Sequence, residues 1–236
     1  MKAIILAAGK GSRISDQIGS LPKSMLNING KPLIRTTVEM ILSLDIEPVL
    51  CVGYKAEIIK EALAGLSVTY INNPFFDITN NIVSLWLARE EINDDVILLS
   101  ADVVFKREII ERLIRQKSPF TLAVDKSKAL DGDFFFKLSE EGCVLDYGAD
   151  LPPQMRDCEN VGLAKINREF ADVFRGRLND MICEQKHQVY FENVFLSFIG
   201  DDIIKINTVD ISDLMWFEID FYNDYLRVLQ QFNQEK

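Results

Sequence analysis

The side chains best equipped for chemistry lie near the two ends of the chain and once in its middle. Close to the N-terminus, LAAGKGSR sets Gly9 and Gly11 directly behind the apolar run Ala3 to Leu6, with Arg13 following and Lys23 further on in PKSML. Glycine reaches positive φ and carries no Cβ, so the backbone can approach a ligand and aim successive N–H groups at phosphate oxygens. Leu6, Ala7, Ala8, Gly9, Gly11 and Ser12 therefore form a candidate nucleotide-binding loop, and Arg13 and Lys23 supply the two cations that a triphosphate needs. Asp102 follows a second apolar run, in LLSAD, and Asp220 closes MWFEID. Two carboxylates at strand ends near one polyphosphate suit a hard cation such as Mg²⁺, which prefers oxygen ligands. Either aspartate alone would more often cap a helix or begin a turn.

Positioning these groups falls to alternating strands and helices. The continuous apolar run Ala3 to Leu6 reads as a strand buried on both faces, Glu47 to Val52 as a second buried strand, and Val68 to Ile71, Asp95 to Ser100 and Phe120 to Val124 as further strands. Helical spacing appears at Lys31 to Leu44, Ala56 to Leu63, Lys106 to Lys117 and Asn80 to Ile92, the last with Thr79 as its N-cap. This alternation implies right-handed parallel crossovers, and such sheets bind ligands at the carboxyl ends of their strands. Beyond residue 125 the rhythm changes. Asp131 to Val144 and Glu159 to Ile166 read as strands, Phe170 to Cys183 and Phe191 to Ile199 as helices, Ile203 to Val209 and Trp216 to Ile219 as strands, and Phe221 to Phe232 as a closing amphipathic helix. The expected fold is α/β and Rossmann-like, with a mostly parallel sheet flanked by helices and a smaller mixed or antiparallel part. One domain over 1–236 is expected, with a nucleotide-binding part at 1–125 and an acceptor-binding part at 126–236.

Composition narrows the function classes. The 26 basic and 36 acidic residues leave a net charge of −10, which disfavours nucleic acid backbones and anionic lipid as partners. No stretch is apolar and long enough to span a bilayer, and a strand starting at the third residue leaves no room for a signal peptide, so a cytoplasmic enzyme is expected. The four cysteines are scattered without a CxxC pair, and His187 is the only histidine, so zinc sites, disulfide frameworks and histidine-dependent mechanisms are disfavoured.

LAAGKGSR, PKSML and NGKPLI together resemble the signature of nucleotidyltransferases that join a nucleotide to a sugar phosphate or a small alcohol phosphate. INNPFFDITNNIVSLWLAREEI looks like the segment after the third strand in the phosphocholine cytidylyltransferase-like branch, and WFEIDFYNDYLRVL is similar to that family's C-terminal stretch. The resemblance implies a Mg²⁺-dependent cytidylyltransferase that uses CTP and a small phosphorylated acceptor. It implies that Asp102 and Asp220 bind the metal, that Asn80, Asn81 and Ser84 lie near the nucleoside, and that Arg13 and Lys23 act on the phosphates. It also places acceptor selection in DGDFFFKL, DCENVGLAKI and VYFENVF, with Asp133, Glu159 and Glu192 as candidate charges and Tyr190, Phe134, Phe135, Phe136 and Phe191 as candidate rings. An aromatic cage would suit a trimethylammonium group, and a primary ammonium is better served by carboxylates, so phosphocholine, phosphoethanolamine, an aminoalkylphosphonate and an amino-acid-derived phosphate all stay open. Two rivals stand beside this reading: transfer to a sugar 1-phosphate from dTTP, UTP or CTP, and a catalytically silent nucleotide-binding domain. A dinucleotide-binding dehydrogenase fits poorly, because GKGSRI lacks the third glycine of that fingerprint.

Overall fold

The structure, a computed structural model, describes residues 1–14, 16–19, 21–201 and 204–234. Its strands are β1 (Lys2–Ala7), β2 (Asn27–Ile28), β3 (Lys31–Pro32), β4 (Glu47–Val52), β5 (Thr69–Asn72), β6 (Val96–Ser100), β7 (Val103–Phe105), β8 (Phe120–Asp125), β9 (Phe135–Leu138), β10 (Val144–Gly148), β11 (Cys158–Ile166), β12 (Ile206–Asp210) and β13 (Trp216–Glu218). The helices are α1 (Leu33–Leu42), α2 (Ala56–Ala62), α3 (Asn81–Leu87), α4 (Arg107–Ile114), α5 (Ala171–Cys183), α6 (Glu192–Leu196) and α7 (Tyr222–Gln234).

The main sheet runs β10-β9-β11-β6-β1-β4-β5, and β8 joins β11 on its other side and carries β12. The strands β6, β1 and β4, with continuous apolar runs, and the less buried edge strand β5 are parallel, whereas β11 pairs antiparallel with β6, β8 and β9. The fold is thus an α/β sheet, mostly parallel at its centre, with an antiparallel extension in the second half. Helices bury their apolar spacing against both faces. One core gathers Ile4, Leu98, Phe120, Phe174 and Phe195, and the other Ile5, Leu50, Leu99, Ile34 and Ile110. A third, smaller cluster joins Ile14, Leu26, Leu33, Val104 and Ile219 to Val228 of α7.

Several elements differ from expectation for local reasons. Thr79 does not cap α3: its hydroxyl donates to the Phe75 carbonyl at 2.8 Å, and Asn80 is the cap, its side-chain oxygen accepting from the Asn81 N–H. The helix stops at Leu87, and a single 3₁₀ turn covers Arg89–Glu91. The expected strand Asp131 to Val144 is a hairpin, because Gly142 takes φ 80° and the Ser139 hydroxyl receives the Cys143 N–H at 3.1 Å. Ile203, at which a strand was expected to begin, lies outside the described residues. The three-residue β7 has no counterpart in the sequence reading; its pairing with β13 matters most for the site.

Candidate active site

Parallel register brings the chemistry to one edge. Leu6 at the end of β1 stands opposite Ser100 at the end of β6, and the Ala101 N–H donates to the Leu6 carbonyl at 3.1 Å. Asp102 therefore emerges beside the glycine loop. Asp220 arrives from the other end of the chain: β13 pairs antiparallel with β7 with Glu218 opposite Val103, and the Ile219 N–H donates to the Asp102 carbonyl at 3.1 Å. The Asp224 carboxylate then receives the N–H groups of Asp220 and Phe221 at 3.2 and 2.7 Å, fixing the turn into α7.

Lys23 lies between the two aspartates, its Nζ 2.5 Å from Asp220 Oδ1 and 3.3 Å from Asp102 Oδ2, and Arg13 is ion-paired with Asp220 as well. Burial works against the Lys23 ammonium, but Asp102 and Asp220 outweigh it and hold its pKa above the ordinary value. Burial likewise opposes the Asp220 carboxylate, which Lys23 and Arg13 nonetheless keep below the usual range. Gly11, at φ 63°, is required twice: a Cβ there would be strained by the backbone and would come within 2.6 Å of the Lys23 stem. Glu218 completes the cluster. Asp102, Glu218 and Asp220 each offer an oxygen within 4.8 Å of the others, a donor set that fits a hard divalent cation. The Glu218 side chain is open to water yet faces the concave cleft, where loss of hydration and the neighbouring Asp102 and Asp220 push its carboxyl up to about 8. Sequence reading overlooked Glu218, although it lies two residues before Asp220, the spacing at which extended residues share a face.

Two cavities meet at this cluster, sharing Gly9, Gly11, Lys23, Asn80, Asn81, Ser100 and Asp102 in their walls. The first, about 210 Å³, is walled by Leu6, Ala7, Ala8, Gly9, Gly11 and Lys23 together with Asn80 and Ser84. Ser84 is buried and its hydroxyl accepts from Asn73 Nδ2 at 2.9 Å. Asn80 serves as more than a wall: its N–H donates to the His187 carbonyl at 2.9 Å and its side-chain NH₂ to the Gln188 carbonyl at 3.2 Å, while Asn81 Oδ1 receives the Phe191 N–H at 2.7 Å. The asparagine pair thereby staples α3 to the segment that leads into α6. Asn73, Phe76 and Ser24 also line this cavity and were not anticipated.

The second cavity, about 690 Å³, has Ser12, Arg13, Asp133, Phe134, Asn160, Tyr190, Glu192 and Asn193 in its wall beside Glu218 and Asp220. Asp133, Tyr190 and Glu192 are where an acceptor site was expected. Glu159 is not: its Oε1 receives the Asp133 N–H at 3.0 Å beneath Gly132, where a Cβ would come within 2.5 Å of the carboxyl carbon. It props the loop that presents Asp133 and does not line the cavity itself, and burial pushes it up to about 7. Of the three consecutive phenylalanines only Phe134 faces the cavity, since Phe135 and Phe136 are core residues of β9, as is Phe191 ahead of α6. Burial also pushes Glu192 up to about 7.

The model of the MobA-like NTP transferase domain matches residues 3–163, from the glycine-loop strand through β6 to β11. The chain belongs to this family. Among characterised relatives of this transferase, CMP-5'-(3-aminopropyl)phosphonate synthase of Streptomyces rubellomurinus is 28% identical over 93% of this chain, which spans 37% of that longer protein. CTP:phosphoglutamine cytidylyltransferase of Campylobacter jejuni is 28% identical over 95% of this chain and 97% of its own length. The solved structure of a CTP:phosphocholine cytidylyltransferase from Streptococcus pneumoniae superposes with a TM-score of 0.80 at 21% identity, covering 98% of each chain, and so shares the transferase's fold.

Proposed function

We propose that the protein transfers CMP from CTP to a phosphate or phosphonate oxygen of a small, amino-bearing acceptor and releases pyrophosphate. One observation carries the reading: Lys23 stands at the junction of the two cavities, in the walls of both, beside the carboxylate cluster. In this reading CTP takes the lobe formed by the glycine loop and α3, and the acceptor the lobe with Asp133, Tyr190 and Glu192. The first half of the chain then serves the nucleotide and the second half the acceptor, within one domain.

The acceptor oxygen attacks the α-phosphorus as the bond to the β-phosphate oxygen breaks, and the electron pair leaves with pyrophosphate. The acceptor is already an anion near neutral pH, so no general base is needed. The protein's task is to bring two anions together and neutralise the charge that develops. Arg13 and the loop N–H groups hold the outer phosphates. Lys23 moves from Asp220 to bridge the acceptor and the α-phosphate. Asp102 and Asp220, with Glu218, would hold Mg²⁺, which when bound supplies positive charge next to the α-phosphate. The lobe with Asn73, Asn80 and Ser84 takes the nucleoside.

The experiment is pyrophosphate release with CTP, UTP, dTTP, ATP and GTP, each crossed with phosphocholine, phosphoethanolamine, aminoethylphosphonate, amino acid phosphates and glucose 1-phosphate. Turnover confined to CTP with an amino-bearing acceptor is expected. Turnover only with glucose 1-phosphate, or none with any pair, overturns the proposal.

A further inference from the structure

One carboxyl in the acceptor lobe is incompletely satisfied by the protein. Glu192 Oε1 accepts from Asn160 Nδ2 at 3.4 Å, while Oε2 is shut off from water and has no hydrogen-bond partner. Glu159 also has an unpartnered oxygen, but Lys128 Nζ lies 3.8 Å from it and the residue is outside the cavity wall. Glu192 is in the wall, and among the described residues no lysine or arginine forms an ion pair with it, Arg13 and Lys23 of the same wall being paired with Asp220. A buried acceptor left this way is costly unless a bound molecule supplies the donor.

The chemistry of the missing donor is narrow. A primary ammonium carries three N–H donors and a positive charge, so it can satisfy a carboxylate oxygen and neutralise it together. A trimethylammonium carries the charge but no donor, and would leave the oxygen orphaned. Asp133 in the same wall adds a second carboxylate. We infer that Glu192, steadied by Asn160, is a specificity-determining residue that selects acceptors bearing a primary ammonium over their N-methylated counterparts. The inference rests on the cytidylyl-transfer reading and specifies its acceptor.

The test compares phosphoethanolamine with phosphocholine, which differ only in N-methylation, on the wild type, Glu192→Gln and Glu192→Asp. Binding is measured by calorimetry in the presence of a CTP analogue with a methylene bridge between its α- and β-phosphorus atoms, so that no transfer intervenes. The wild type is expected to bind phosphoethanolamine roughly tenfold tighter or more. In Glu192→Gln the two affinities should converge to within about twofold, and Glu192→Asp should keep part of the preference. A cooperative melting transition in each variant checks that it is folded. Equal or reversed preference in the wild type, a preference retained in the glutamine variant, or binding of neither compound overturns the inference. Pyrophosphate release with CTP then decides the reaction separately: selective binding without turnover refutes cytidylyl transfer and leaves the selection by Glu192 standing.

Discussion

Lys23 has two jobs that cannot be done in one position. It is the internal counter-ion of Asp220 and Asp102, at 2.5 and 3.3 Å. In the proposed transfer its charge is needed on the phosphates of nucleotide and acceptor. The ion pair therefore stores the lysine, only 12% exposed, at the junction, and prevents three convergent carboxylates from facing one another uncompensated. In Lys23→Ala, kcat is expected to fall roughly a hundredfold to a thousandfold, the range seen for loss of one preorganised charge or donor. Single-turnover kinetics would show it, and a fall below about tenfold would remove Lys23 from the reaction. At this scale much of the site was legible. Gly9, Gly11, Arg13, Lys23, Asp102 and Asp220 stand out in the sequence by type and by their place after apolar runs, and the structure brings them to one edge. Glu159 did not show its true place, because nothing local distinguishes a carboxylate that lines a cavity from one that props the loop behind it.

The junction of α6 with β11 is expected to make the fold sensitive to pH. Glu192 begins α6 against Asn160 of β11, with Asp102 the charged group felt across the cleft, and burial raises its pKa to about 7 from the ordinary 4.5. A carboxyl raised by folding favours the folded state while protonated, so its contribution is full below about 4.5 and is lost as pH rises through about 7. Across that window the ligand-free domain should lose on the order of 2 to 3 kcal/mol from this group. Denaturant midpoints from pH 5 to pH 8 should fall in the wild type and fall less steeply in Glu192→Gln; parallel curves would refute the assignment. Glu159 and Glu218, raised to about 7 and about 8, act in the same direction, so a fall remains in Glu192→Gln; Asp220, shifted downward, acts in the opposite direction and below this window. Among the elements, the strands with continuous apolar runs and the long amphipathic helices were legible because burial writes itself into composition. β13 was expected at Trp216 to Ile219, but β7 and its pairing with β13 were not, since three residues carry no period and the partner lies more than a hundred positions away. Asn80 proved to be a cap and a staple for the same reason: its partners at 187 and 188 are set by the fold.

At the scale of the whole molecule, charge and shape rest on different foundations. The sheet is held by two large cores, one on each face. Arg13 and Asp220 depend on the third cluster, for Ile14 follows the arginine and Ile219 precedes the aspartate, and both pack in it with Val228 of α7. The small cluster should open at lower free energy than the cores. Activity is accordingly expected to disappear at a lower urea concentration than the far-ultraviolet circular dichroism of the sheet, and coincident transitions would contradict this. The closing helix then works as a fuse. Under stress, its departure would part the arginine from the aspartate and leave a well-formed sheet with a disconnected catalytic edge, so that the protein goes silent while still folded and regains its chemistry when a single helix settles back.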